Sequence, residues 1–95
     1  MQNDDILVNE LAPRPHNSGH WTLDFCETSQ FQNLIHTIID GSPKSPKPSG
    51  NCKMINVIGN DFSKRDDFKK KYKFYDYLKK EIKPFRKMGH YTLKI

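Results

Sequence analysis

Val8-Asn9-Glu10-Leu11-Ala12-Pro13-Arg14-Pro15-His16-Asn17-Ser18-Gly19-His20 is a short apolar lead followed by polar groups held on a proline-stiffened loop. Pro13 and Pro15 fix their own φ and bias Ala12 and Arg14 toward extended backbone, so the loop is expected to be stiff. From position 14 to 20, Arg14, His16, Asn17, Ser18 and His20 place five polar groups in seven positions, more than a linker needs. The apolar run Ile6 to Val8 is expected to form the end of a short buried strand with Asn9 and Glu10 at its tip. Adjacent amide and carboxylate oxygens suit magnesium, which often shares one or two carboxylates with nucleotide phosphates. Taken alone, such a pair also suits a solvated turn. Arg14 can grip a carboxylate or phosphate as a fork, Asn17 and Ser18 can hydrogen-bond an oxyanion, and His16 can donate to it or move a proton near neutral pH.

Beyond the loop, Ser29 and Gln32 have capping-box spacing, and Phe31, Leu34, Ile35, Ile38 and Ile39 follow at helical spacing. The helix should stop at Asp40-Gly41. Ser42 to Asn51, with three prolines and Gly50, reads as a loop without a core of its own. Met54 to Ile58 reads as a buried strand ending at Gly59. The segment from Ser63 to Lys87 tolerates two readings: Phe68, Tyr72 and Tyr75 fit a helix, while Lys73 to Leu78 fits a strand with Tyr75 and Tyr77 on one face. Tyr91, Leu93 and Ile95 alternate with Thr92 and Lys94, as in a half-buried strand. The expected class is α+β: one amphipathic helix and a small, mainly antiparallel sheet built from Met54 to Ile58, Phe74 to Leu78 and Tyr91 to Ile95.

At 95 residues, with 35% hydrophobic residues and a mean hydropathy of -0.83, the chain has limited means to build a core. The net charge of +5 favours anionic partners. No apolar run reaches membrane-spanning length, and the start, with Asn3, Asp4 and Asp5, does not resemble a secretory signal, so a cytoplasmic protein is expected. Cys26 and Cys52 form no CxxC pair and are expected to be reduced, packed thiols; a zinc site from His16, His20, Cys26 and Cys52 is conceivable but fits no standard spacing.

Three ordered segments carry a more specific reading. Asn9 to Thr22, followed by Ser29-Gln30-Phe31, resembles the signature of PurK, the 5-(carboxyamino)imidazole ribonucleotide synthase family of ATP-grasp enzymes in purine biosynthesis. Met54-Ile55-Asn56-Val57-Ile58-Gly59 resembles that family's Met-Ile-Asn-Leu-Ile-Gly strand. Lys80-Glu81 with Pro84 and Arg86-Lys87-Met88-Gly89-His90 resembles its ending. The likeness runs from about Val8 onward and is weakest from Gly41 to Lys53 and from Asp61 to Lys79. It implies that residues 1–25 are the end of an ATP-grasp core with a polar substrate and metal loop. Residues 26–95 would be the family's C-terminal domain, with a linker at 41–51.

The reaction so implied phosphorylates bicarbonate with ATP and passes the carboxyl group to the amine of aminoimidazole ribonucleotide. By position, Asn9 and Glu10 would bind Mg2+ and ATP; Arg14, His16 and Lys80 would be catalytic; Asn17, Ser18, Arg86 and Lys87 would hold substrate. Two positions depart from the pattern: Phe85 replaces a Gly, and Leu78 a Tyr. The resemblance begins within the first ten residues, so a complete ATP site is not expected, and activity would need another chain supplying the missing lobes. Detached from them, the chain is expected to expose apolar faces and to self-associate.

From Lys64 to Lys87 eleven Lys or Arg are interleaved with six aromatic residues, which also suits a small basic nucleic-acid-binding module. Asp66, Asp67, Asp76 and Glu81 interrupt that tract, and no RNA-recognition signature accompanies it. A non-functional remnant of the ligase is the third reading.

Overall fold

The computed structural model describes residues 4–95. Its elements are α1 (Thr22–Phe25), α2 (Gln30–Asp40), β1 (Cys52–Ile58), α3 (Arg65–Lys71), β2 (Lys73–Asp76) and β3 (Lys87–Lys94), with 3-10 turns at Asn17–Gly19 and Gly59–Lys64. The strands form one antiparallel sheet in the order β1-β3-β2, so the last strand lies in the middle. The expected α+β class is what the chain adopts.

Local chemistry explains the helices. Ser29 Oγ accepts the Gln32 N–H at 3.1 Å while Gln32 Oε1 takes the Ser29 N–H at 2.8 Å, completing the capping box of α2. Gly41 ends the helix with φ 67, a left-handed conformation that costs glycine little. The ambiguous segment resolves into both readings. Asp66 and Asp67 occupy the first turn of α3 and Lys69 to Lys71 the last, complementing the helix dipole. Tyr72 then turns extended, and β2 begins at Lys73.

Register divides the sheet side chains between two faces. Paired residues share a face, so Ile55, Val57, Phe74 and Tyr91 lie on one side and Asn56, Tyr75, His90 and Thr92 on the other. Between Val57 and Ile58 the register slips by one, leaving Met88 as the extra residue of a bulge. Met88 joins Val57 and Phe62 in the buried apolar cluster, with Phe68, Phe74 and Tyr91 packed around it. The rings of Phe68 and Tyr72 stack on Tyr91 at centroid separations of 5.0 and 4.6 Å.

The opposite face is covered by polar contacts from the N-terminal segment. The Asp24 carboxylate of α1 accepts from Tyr75 Oη at 2.9 Å and Thr92 Oγ1 at 3.1 Å, and pairs with Lys73 Nζ at 2.9 Å. Burial works against its ionised form, but these three donors hold the Asp24 carboxyl below its ordinary range.

Several expectations need correction. Ile6 to Val8 form no strand and are exposed, because no strand among the described residues lies alongside to accept their backbone hydrogen bonds. Thr92 is 5% exposed, more buried than Tyr91 or Leu93, because the N-terminal segment covers the face expected to meet water. Strand β2 ends at Asp76 rather than Leu78. There Asp76 Oδ1 takes the Leu78 N–H at 2.7 Å and Leu78 turns to φ 58. The linker is a loop as expected, but it is tied down. Glu27 N donates to Lys47 O, Ser49 N to Phe25 O, and the Asn33 amide pairs with both backbone groups of Lys44.

Phe85, standing where the resembled pattern has Gly, lies at φ 65 and is 91% exposed. Left-handed backbone costs an L-residue about 1–2 kcal/mol, and an exposed ring recovers little of it by packing. Glycine's greater freedom in the unfolded chain offsets about 0.5–1 kcal/mol. Phe85→Gly should therefore stabilise the chain by about 1 kcal/mol, raising Tm by roughly 4–8 °C. Thermal unfolding checks this, and an unchanged or lowered Tm would show that Phe85 is not strained.

Candidate functional site

The loop after Pro15 builds its polar surface from one histidine. His16 caps the 3-10 turn, its Nδ1 accepting the Ser18 N–H at 3.2 Å and lying 2.9 Å from Ser18 Oγ. A ring nitrogen that accepts a backbone N–H carries no proton, so the proton of neutral His16 sits on Nε2. That nitrogen faces Glu10 Oε1 at 3.2 Å. Val8, Asn9, Glu10, Leu11, Ala12, His16 and Ser18 line a hollow of about 560 Å³. The loop thus turns Glu10, His16 and Ser18 toward one space.

Beside it, the chain's two ends meet. Asn17 Oδ1 accepts from Lys87 Nζ at 3.2 Å, across seventy positions of sequence. Asn17 Nδ2 donates to Asn56 Oδ1 at 3.1 Å and toward Tyr77 Oη at 3.4 Å. The same Tyr77 oxygen lies 2.8 Å from His90 Nδ1. His90 is 1% exposed, stacked on Tyr75 at 4.9 Å, and its Nε2 has no partner among the described residues. Burial pulls its imidazole below the ordinary value; nearby His20 adds to this, and Asp24 opposes it. Burial likewise pushes the Tyr77 hydroxyl up. These contacts form a polar chain running from the sheet interior to Asn17.

Other expected site residues stay apart. Arg14 donates to the Pro15 carbonyl at 3.1 Å and lines a separate hollow of about 260 Å³ with Pro13, Gln30, Asn33, Leu34 and Thr37. Arg86 donates to Glu81 O at 3.1 Å, and Lys80 is exposed. The conceivable zinc set does not assemble: among the described residues no three His, Cys, Asp or Glu side chains gather as ligands. Both thiols are free, and burial raises their pKa. In the sequence, Asn56 and Tyr77 stood out only as members of expected strands and His90 only as the end of the Arg86-to-His90 motif. An amide inside the apolar run Met54 to Ile58 was the one signal that this strand carries a polar task.

Two family models match this chain. The ATP-grasp domain matches residues 1–31, and the phosphoribosylaminoimidazole carboxylase C-terminal domain matches residues 52–94. A Bacillus subtilis N5-carboxyaminoimidazole ribonucleotide synthase is 45% identical over 96% of this chain. The chain matches the C-terminal part of PurK-family enzymes. It spans 25% of the length of that Bacillus relative. Among solved structures, a PurK-type N5-carboxyaminoimidazole synthetase from Staphylococcus aureus complexed with ADP superposes with TM-score 0.85 at 37% identity, covering 99% of this chain and 26% of that one. An Aspergillus clavatus PurK-type synthase in complex with ADP and 5-aminoimidazole ribonucleotide gives TM-score 0.76 at 31% identity, covering 86% of this chain and 24% of that one. No helix among the described residues is long and apolar enough to cross a membrane.

The buried histidine pair is expected to make this segment sensitive to acid. His20 and His90 lie 5.5 Å apart, and both are held below the ordinary value near 6.5, chiefly by burial. A depressed histidine binds its proton more readily in the unfolded chain. Its stabilising contribution is therefore complete above pH 6.5 and is lost as pH falls toward the folded-state value. Tm should drop between pH 7 and pH 5, with less drop in a His90→Phe variant. A wild-type Tm that holds level over this range would contradict neutral burial of the pair.

Proposed function

We propose that this chain forms one wall of the active site of a cytoplasmic ligase that uses ATP and bicarbonate to carboxylate aminoimidazole ribonucleotide. The observation that carries the reading is the juxtaposition of the Glu10–His16–Ser18 cluster with the Asn17–Lys87 pair, on a loop inside a family-matched segment. Every species in such a reaction is an anion: ATP, bicarbonate, carboxyphosphate and the ribonucleotide. Fixed cationic and N–H donors are what stabilises charge developing on them.

ATP transfers its terminal phosphoryl group to bicarbonate, giving carboxyphosphate and ADP. The ribonucleotide amine then takes the carboxyl group, releasing phosphate and a proton. Asn9 and Glu10 would hold Mg2+, which, when bound, neutralises charge on the ATP phosphates. Two adjacent oxygen donors fit the protein's share of such a site, since magnesium completes its shell with water and phosphate oxygens. His16, with its proton on Nε2, is placed to donate a hydrogen bond from that nitrogen to a charged oxygen of the reacting anion, with Glu10 orienting the ring. Lys87 and Arg86 supply positive charge for the ribonucleotide phosphate, and Ser18 and Asn17 hydrogen-bond the reacting anion. Arg14 and Lys80, both exposed, would close on it from the flanks.

The other catalytic lobes would come from a separate chain gripping the apolar face of α2, where Leu34, Ile35, Ile38 and Ile39 are exposed. Without that chain, the same face drives self-association. The 95 residues alone should show no ATP-dependent carboxylation, and robust turnover by them would overturn the division of labour. In an enzyme reassembled with the remaining lobes, Glu10→Gln and Arg14→Ala should each lower kcat/KM by about 10²-fold or more. Near-normal rates in both variants would remove these residues from the site.

A further inference from the structure

We infer that Gln30 is the positioning residue of the proposed site, holding the polar loop by pairing its side-chain amide with the His16 peptide and with a neutral His20. The inference rests on the reading that this loop carries substrate-binding groups, but its geometry stands on its own. Gln30 Oε1 accepts the His16 N–H at 3.0 Å, and Gln30 Nε2 donates to the His16 carbonyl at 2.9 Å. A peptide offers one obligate donor and one obligate acceptor, so this double contact fixes which end of the amide is nitrogen. That same nitrogen lies 2.7 Å from His20 Nδ1. An amide nitrogen only donates, so His20 Nδ1 must accept, and the ring proton sits on Nε2.

The rest of Gln30 is fixed as well. Its backbone N–H, one of the unpaired donors at the start of α2, goes to Thr22 Oγ1 at 3.0 Å, and Thr22 in turn donates to the Gly19 carbonyl at 2.6 Å. Gly19 packs directly on the Gln30 amide, where a Cβ would collide with Oε1. The anchor thus lies between His16, Asn17 and Ser18 on one side and the first turn of α2 on the other.

Protonating His20 would set an N–H against the amide nitrogen and break the clamp. The surroundings oppose that proton. His20 faces His16 from its own loop, Lys87 and His90 from β3, Tyr77 from the end of β2, and the Phe31 ring from α2, while Asp24 of α1 faces His90. Burial, then His16 and Lys87, keep its pKa below the ordinary value.

Nitrogen-15 NMR of the histidine rings in the 95-residue chain tests the assignment without any variant. At pH 7, His20 should show an unprotonated Nδ1 and a protonated Nε2. On acidification, the His16 amide should lose exchange protection in step with His20 protonation. The Nδ1–H tautomer at pH 7 would overturn the inference. Gln30→Glu, of equal size, replaces the donor with a carboxylate. The His20 midpoint should then rise by about one pH unit or more, while the β1 and β3 amides stay dispersed. An unmoved midpoint in that folded variant would also overturn it. In the reassembled ligase, Gln30→Glu should lower kcat/KM about tenfold and change its pH profile. If wild type and variant are equally inactive there while the NMR results hold, the ligase reading fails and the Gln30 assignment stands.

Discussion

The Asp24 carboxylate is the contact on which the arrangement depends. It is 11% exposed and accepts from one residue of β3 and two of β2. An ionised, nearly buried carboxylate needs its donors, and the hydrogen bonds from Tyr75 and Thr92 contribute about 1.5–3 kcal/mol each, while the exposed Lys73 ammonium is screened by solvent. Through it, α1 is pinned to the sheet. Once α1 is pinned, His20 stacks near His90, Asn17 reaches Asn56 and Lys87, and the loop has a floor. The site is a consequence of one polar anchor between two segments that share little apolar surface.

That dependence follows from how little hydrophobic core exists. Among the described residues only Val57, Phe62 and Met88 are buried apolar side chains. Burying each contributes about 1.5–3 kcal/mol, a small sum against the entropy of ordering the chain. The polar face must therefore be satisfied nearly everywhere. Amides do much of this: Gln30 pairs with the His16 peptide, Asn33 with the Lys44 peptide, and Asn17 bridges to the sheet. Meanwhile the most regular apolar pattern in the sequence, along α2, remains mostly exposed. A helix with a built cap and an uncovered apolar stripe is shaped for a surface beyond these residues.

Local rules were legible wherever the deciding contacts lie within a few residues. The α2 cap, its glycine stop, the helical and extended halves of the ambiguous segment, and the β1 strand all follow from neighbours in sequence. The strand expected at Ile6 to Val8 failed because a strand is defined by its partner, which local sequence cannot supply. The inward and outward assignment on β3 failed for a related reason. Alternation shows that two faces exist, but not whether a distant segment covers the second.

The sequence by itself determined the family resemblance, the α+β class, the identity of the polar loop and the residue types that could meet an anion. Motif order and spacing carry that information. Tertiary structure alone decided which of those residues meet. Asn17 with Lys87, Tyr77 with His90, and Asp24 with Thr92 are separated by 70, 13 and 68 positions. They come together because β3, last in the chain, inserts between β1 and β2 and presents a buried polar face to the first segment. Placing the final strand in the middle is a matter of sheet pairing, and pairing is settled by the whole chain at once.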